Sequence, residues 1–232
     1  MNDNNSWLIF ACFYSTYTRY WLQVFFLYYR FMQEISQRKQ FIDIFLEKNN
    51  EINLSAIRDA DWVYIKHILD SLELNKIFPL IDWTNIIDVW TGGWFPLLPL
   101  AITHPHVHFT WLDSVRKKTE AVTDMAKKLW LKNVTMVWSR AEDFNWQFDV
   151  LTARAMSYID NLLLRCNHIV KKWWYFVFYK MHSVDEDKHV TQLCHTYRLT
   201  MKYKHIYTLF PWDIERVIYV LKKWDRLKDR WM

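Results

Sequence analysis

The spacing of apolar positions changes along the chain, and each change marks an element. From Trp7 to Tyr14, Tyr20 to Leu22 and Val24 to Met32 the sequence is crowded with aromatics. Ser15, Thr16, Thr18, Arg19 and Gln23 interrupt that run, which argues against a membrane-spanning helix there. From Gln33 the pattern becomes helical, with Phe41, Ile44, Phe45 and Lys48 at 3–4 spacing and Asn49-Asn50 able to end the helix. Asp59-Ala-Asp61 then caps a second expected helix, Trp62 to Leu74. Beyond it, short apolar runs alternate with helical stretches. Strand Ile86 to Val89, helix Phe95 to Thr103, strand Val107 to Leu112 and helix Val115 to Leu129 come first. Strands Val134 to Val137 and Phe148 to Thr152, helix Asp160 to Val170 and strand Tyr175 to Tyr179 follow. This rhythm predicts an α/β fold, a mostly parallel sheet with helices on both faces. Thr200 to Leu209 and Arg216 to Leu221 read as two strands around Phe210-Pro-Trp-Asp213, adding antiparallel strands at the sheet edge.

The expected organisation is an aromatic N-terminal extension (1–40), a helical part (41–80), an α/β domain (81–223) and a charged tail (224–232). The start lacks the basic residues and small-residue cleavage site of a signal peptide, and Met32 is an alternative start. A peripheral membrane-surface helix in the extension is the competing reading.

One stretch stands out, Asn85-Ile-Ile-Asp-Val-Trp-Thr-Gly-Gly-Trp-Phe-Pro96. It reads as a strand carrying Asp88, a tight loop through Gly92-Gly93, and a helix start, a place to hold a nucleotide-like ligand. An acid there disfavours a phosphate cradle and favours a ligand with hydroxyls or positive charge. In parallel sheets ligands sit outside the carboxyl ends of the strands. Asp88, the 90–95 loop, Asp113, Ala141, Glu142 and Arg154 all fall on that edge.

Composition sharpens this picture at one point. With 52% apolar and 24% charged residues the 232-residue chain fits a soluble globular protein in a reducing cytoplasm, its three cysteines (Cys12, Cys166, Cys194) lying far apart. A net charge of +5 suits an anionic partner such as RNA. The anomaly is 2 Gly against 15 Trp, when ordinary usage is roughly 7% Gly. Trp90, Trp94, Trp130, Trp146, Trp173 and Trp174 all stand in turn-like contexts where glycine is the default. These positions are expected to be glycine in the living protein, with UGA codons rendered as Trp; the alternative is a Trp-rich protein.

Several chemistries compete. His67, Asp70 and Ser71 fall within about one helical turn, but no nucleophile elbow accompanies them, so helix capping and hydrogen bonding are the better account. His104, His106 and His108 alternate around Pro105 without a further ligand cluster, which argues against metal. The loop lacks the GxGxxG spacing of a dinucleotide enzyme. With glycine at 90 and 94 it reads DxGTGGGFP, a pattern that suits S-adenosylmethionine. Asp113 would bind the ribose hydroxyls, Asp88 would face the amino and sulfonium charges, and Ala141-Glu142 would flank the adenine.

Asn53-Leu54, Lys66-His-Ile-Leu-Asp-Ser71, Asp88 to Pro96, Leu112-Asp-Ser114, Ser139 to Phe144 and Ala153-Arg-Ala155 together resemble the RsmG/GidB family of small-subunit rRNA guanine-N7 methyltransferases. The resemblance runs from Phe41 to Lys180, more weakly from Glu215 to Lys223. It implies a class I, Rossmann-like methyltransferase fold, S-adenosyl-L-methionine as donor, and guanine(527) of 16S rRNA, free or in the small subunit, as acceptor. The resemblance implies cofactor contacts at Trp90, Phe95, Ala141, Glu142 and Arg154 and matches Asp113, with Trp90 standing where the family has glycine; Asp88 and Gly92 join the cofactor set from the loop reading itself. Lys117 and Lys118 are the implied RNA contacts, with Arg116 beside them a further basic candidate, and no metal or stable membrane partner is expected. Methylation at N7 removes no proton, so no general base is required; His67, Asp70, Ser71 and Arg154 are left as orienting groups. If Trp90 is genuine, its indole fills cofactor space and a catalytically inactive RNA-binding protein becomes the alternative.

Overall fold

Ile86, Ile87 and Val89 form a strand because β-branched side chains pack well on a pleated surface, and here both faces of that surface are covered. The computed structural model describes residues 36–89, 95–154, 159–210 and 213–224. Contacts divide the chain into two units, Met1–Asp43 and Ile44–Met232. Residues 36–52 are helical (α1). In the first unit the described residues are helical and carry a Lys39–Asp43 pair at 2.8 Å. All that follows concerns the second.

Its sheet has seven strands, β1 (Asn85–Val89), β2 (His108–Asp113), β3 (Val134–Trp138), β4 (Phe148–Arg154), β5 (Val170–Met181), β6 (Leu199–Leu209) and β7 (Ile214–Lys223). Their order is β3-β2-β1-β4-β5-β7-β6. The first five are parallel; β7 runs antiparallel to β5 and to β6. The expected mixed sheet is therefore observed. Helices α3 (Leu97–Thr103), α4 (Arg116–Lys128), α5 (Ile159–Cys166) and α6 (Val184–Tyr197) complete the layers. Alternate residues of the central strands, Ile87, Val89, Leu151, Ala153, Phe176 and Phe178, bury in one cluster with Leu162 and Leu163 of α5 and Val190 and Leu193 of α6. Ile86, Val150, Val177 and Ile218, of opposite parity, are also buried. Burial on both faces is why these strands read as continuous apolar runs.

Before the sheet, helical turns Ala60–Val63, Tyr64–Leu69, Asp70–Leu72 and Glu73–Lys76 form one irregular helix, α2. Asp59 caps it as expected, its carboxylate accepting the Trp62 N–H at 3.0 Å. The Tyr64–Leu69 stretch is π-helical, a rare widening that often marks functional sites.

Three expectations needed correction. Helix α6 was not foreseen; only Val190 and Leu193 of it are buried, so its apolar period is faint. Its start signal was present nonetheless, for Ser183 accepts the Glu186 N–H at 3.1 Å, in a Ser-x-x-Glu capping pattern. The expected helix through Val170 stops at Cys166 and tightens into a 3-10 turn, Asn167–Ile169. Strand β5 consequently starts at Val170 rather than Tyr175 and is irregular across 171–174, opposite the interval Phe148 to Val150.

Among the described residues no helix is long and apolar enough to cross a membrane. The thiols of Cys166 and Cys194 are free, and burial pushes that of Cys166 up to about 12.

The carboxyl end of α3 is tied to β3 by one side chain. The Asn133 amide nitrogen lies 3.0, 3.0 and 3.1 Å from the carbonyls of Ala101, His104 and Val107. Asn133→Ala leaves those carbonyls short of a donor and should lower unfolding stability by about 1–3 kcal/mol, measured by urea denaturation. An unchanged midpoint would show that water replaces the amide at no cost.

Candidate active site

The strand order reverses between β1 and β4, the point at which parallel α/β sheets open a crevice at their carboxyl ends. Most of the sequence-predicted groups that the structure describes stand along that edge. Asp88 is fully buried near the end of β1, and Phe95, 1% exposed, follows the loop. Trp90 and Gly92 lie outside the described residues. Asp113 ends β2 and is 4% exposed. One of its oxygens, Oδ1, accepts the Val115 N–H at 2.7 Å, while its carbonyl accepts the Ser139 N–H at 3.2 Å. Ala141, wholly buried, and Glu142, exposed and paired with Arg165 at 2.7 Å, form the turn after β3. Arg154 ends β4.

Arg154 is held from below by a buried polar cluster. One guanidinium nitrogen, Nη1, donates to Asp70 Oδ2 and to the Lys66 carbonyl, both at 3.1 Å. The other, Nη2, donates to His67 Nδ1. Asp70 is 1% exposed and also receives Arg216 (3.2 and 3.3 Å) and the Tyr207 hydroxyl (2.6 Å). One carboxylate thus serves two guanidinium groups and a phenol, drawn from α2, β4, β6 and β7. Burial pulls the Arg154 guanidinium down, but Asp70 beside it opposes that shift, and a guanidinium keeps its proton in proteins.

His67 sits among the same groups. Its ring stacks on Phe95 (centroids 4.3 Å apart, 20° between planes) and meets Phe45 edge-on at 5.7 Å. Burial, reinforced by the Arg154 charge, lowers its pKa to about 3. It is therefore neutral, and because arginine can only donate, Nδ1 must be the acceptor. Nε2–H then donates to the Ser55 hydroxyl at 3.0 Å. Arg154 in turn lies 5.3 Å over the Phe95 ring.

The hydrolase-like trio does not assemble. The Ser71 hydroxyl donates to the His67 carbonyl at 2.6 Å, one turn back in its own helix, and the Ser71 carbonyl accepts the Tyr179 hydroxyl at 2.9 Å. Ser71 thus packs α2 against β5. Sequence reasoning missed Ser55, Tyr179, Tyr207 and Arg216. Only Arg216, at the edge of the weaker C-terminal agreement, had any signal in the chain. The three histidines near Pro105 do not converge; His104 bonds Thr103 and the Leu100 carbonyl, and His108 bonds Thr135. Among the described residues no cluster is placed to hold a metal.

Arg116, Lys117 and Lys118 open α4, with Lys117 exposed and Lys118 half-buried. Arg116 pairs with Glu120 at 2.8 Å and lies 5.6 Å over the Trp138 ring. Glu120 offsets part of the Arg116 charge.

The family model for rRNA small subunit methyltransferase G matches residues 34–207. The chain belongs to this family, GidB. It is 31% identical over 198 residues to ribosomal RNA small subunit methyltransferase G of Lysinibacillus sphaericus, covering 82% of this chain and 83% of that protein. The Hydrogenovibrio crunogenus protein of the same name is 34% identical over 197 residues, 82% of this chain and 86% of its own. Among solved structures, a SAM-dependent methyltransferase from Aquifex aeolicus matches with a TM-score of 0.54 at 15% identity, over 69% of this chain and 92% of that one. A ribosomal protein L11 methylase from Lactobacillus delbrueckii matches at 0.54 and 11%, over 68% and 77%. These likenesses establish the methyltransferase fold, and membership of GidB makes the chain one of a family of rRNA methyltransferases.

Within this GidB chain the cluster gives two expected outcomes. Asp70→Asn leaves two buried guanidinium groups with a neutral partner and should cost about 3–5 kcal/mol of stability, read by thermal and urea unfolding. A loss under 1 kcal/mol would mean that solvent reaches the cluster. His67 binds its proton more weakly folded than unfolded, so between about pH 6.5 and 3 the unfolded chain holds the extra proton. Stability should therefore fall as pH drops through that window, by up to about 1.4 kcal/mol per unit from this group. His67→Gln should flatten the slope; an NMR titration of His67 near pH 6.5 would contradict the burial argument.

Proposed function

We propose that the chain transfers a methyl group from S-adenosyl-L-methionine to N7 of guanine(527) in small-subunit rRNA, free or in the assembling subunit. The observation that carries this reading is the Asp113 carboxylate at the end of β2. Its Oδ1 is taken by the Val115 N–H, whereas Oδ2 has no protein partner among the described residues. A strand-end carboxylate with one oxygen left for a ligand suits the paired hydroxyls of a ribose, so the residues present fit the cofactor. Ala141 and Glu142 would flank its base, and Asp88 with the Trp90 to Gly92 loop would face its amino acid end.

The cofactor supplies an electrophilic methyl group. Guanine N7 attacks through a lone pair in the ring plane and loses no proton, so this chain has no base to provide. That agrees with a His67 locked neutral against Arg154 and a Ser71 hydroxyl spent on its own helix. The work left is placement: Phe95 walls the crevice against water, and Arg154, immobilised by Asp70, presents a fixed guanidinium to the guanine or its phosphate. Arg116, Lys117 and Lys118 would meet phosphates, making affinity fall with salt. The second reading, RNA binding without catalysis, is favoured only by the tryptophan at position 90.

The test is calorimetric binding of S-adenosylmethionine, with transfer of labelled methyl to small-subunit RNA. Two proteins are compared, the written sequence and one carrying W90G and W94G. The glycine protein should bind and transfer, and Asp113→Ala in it should weaken binding at least tenfold. No binding by either protein would leave only the RNA-binding reading.

A further inference from the structure

Six non-glycine residues have a positive φ among those described, and three are tryptophans: Trp83 at 68°, Trp130 at 57° and Trp173 at 72°. The others are Asn53, Asp213 and Arg198. Asparagine and aspartate tolerate this left-handed region because their short polar side chains bond locally; a bulky indole has no such help.

Two of the three tryptophans sit in named glycine motifs, and the third in an irregular strand. Trp130 follows α4, where the Leu131 N–H bonds the Ala126 carbonyl (2.9 Å) and the Trp130 N–H bonds the Lys127 carbonyl (3.0 Å). That pair of bonds is the Schellman helix end, whose left-handed residue is usually glycine. Trp83 is third in the turn Ile81 to Thr84, closed by the Thr84 N–H on the Ile81 carbonyl at 3.2 Å. A positive φ at that position is the type II requirement for glycine. Trp173 falls in the irregular stretch of β5 opposite Phe148 to Val150, where the ladder register shifts, and its left-handed φ is one that glycine takes at no steric cost.

Burial agrees with geometry. Trp83 and Trp130 are 85% and 83% exposed, whereas Trp111, inside β2, is 0% exposed and packs as a large aromatic should. At roughly 7% usage a chain of this length would hold about 16 glycines, close to its glycines and tryptophans together.

We propose that Trp83, Trp130 and Trp173 are glycine in the protein as its own ribosomes make it, and with them Trp90 and Trp94 of the cofactor loop. UGA is one base from the tryptophan codon UGG and one from the glycine codon GGA, so a glycine tRNA altered at one anticodon base would read it. The working sequence is then Asp88-Val89-Gly-Thr91-Gly92-Gly93-Gly-Phe95, without an indole at either position. That consequence for positions 90 and 94 rests on the methyltransferase reading; the three left-handed positions do not. Trp146 and Trp174 carry no positive φ, so the conformational argument does not extend to them.

The test begins with the gene and the native protein. UGA at codons 83, 90, 94, 130 and 173, with UGG at 111, and native tryptic peptides bearing the mass of glycine at the five sites, are expected. UGG at 83, 130 and 173, or tryptophan in the native peptides, overturns the proposal. A second arm uses protein made from the written sequence. W83G, W130G and W173G should each raise the melting temperature, each above the matching alanine variant, because only glycine relieves a left-handed φ. W111G should lower it. Alanine matching glycine at all three sites would overturn the conformational argument. Failure of the W90G, W94G protein to bind S-adenosylmethionine, when native peptides do carry glycine, would overturn the methyltransferase reading and leave the decoding intact.

Discussion

The structure turns on the Asp70 carboxylate. It is buried and reached by Arg154 from β4, Arg216 from β7 and Tyr207 from β6, so one residue of α2 binds β4 and the β6–β7 pair, which lie far from it and from each other in the sequence. Burying an ionised carboxylate costs several kcal/mol unless its lone pairs are used. Here those lone pairs are used by charge-assisted and phenolic bonds from side chains that are themselves tethered to the sheet. The helical segment before β1 and the antiparallel C-terminal strands are thereby fastened to the parallel core at one point, directly behind the crevice edge.

That placement links stability to chemistry. Arg154 cannot reorient without abandoning Asp70, and His67 cannot take a proton without losing the bond that Arg154 donates. Phe95 is gripped between the two, by stacking on one and a cation–π contact with the other. Such a wall suits the proposed transfer, because methylation of a ring-nitrogen lone pair would need the nucleophile held still rather than deprotonated. The π-helical turn that carries His67 lets Lys66, His67 and Asp70 all address Arg154 within one short stretch.

The tryptophans describe a conflict between levels. Backbone geometry at positions 83, 130 and 173 is settled by hydrogen bonds that any residue can make, so the fold keeps its left-handed turns whatever side chain is attached. The side chain then has no inward place to go, and two of the three indoles stand in solvent. Agreement between local residue and global fold is the rule in natural chains, and these sites break it in one consistent direction.

What the chain alone determined is what depends on short-range pattern. The alternation of β-branched runs and helical stretches is enough to establish the α/β layering, the parallel strands and the antiparallel end, because both faces of the sheet must be buried. It also placed Asp113, Ala141, Glu142 and Arg154 on one edge, since strand ends are where the pattern stops. Helix α6 slipped by because only two of its residues are fully buried, although the Ser183 to Glu186 cap announced it. Only the tertiary structure decided what His67, Asp70 and Ser71 do. Their spacing on one helix permitted a catalytic trio, but Ser71 turned to its own helix, His67 to Ser55 and Arg154, and Asp70 to partners as far away as Arg216. The physical reason is that a buried charge is satisfied by whichever donors the sheet brings near, and nearness across strands leaves no mark in sequence spacing.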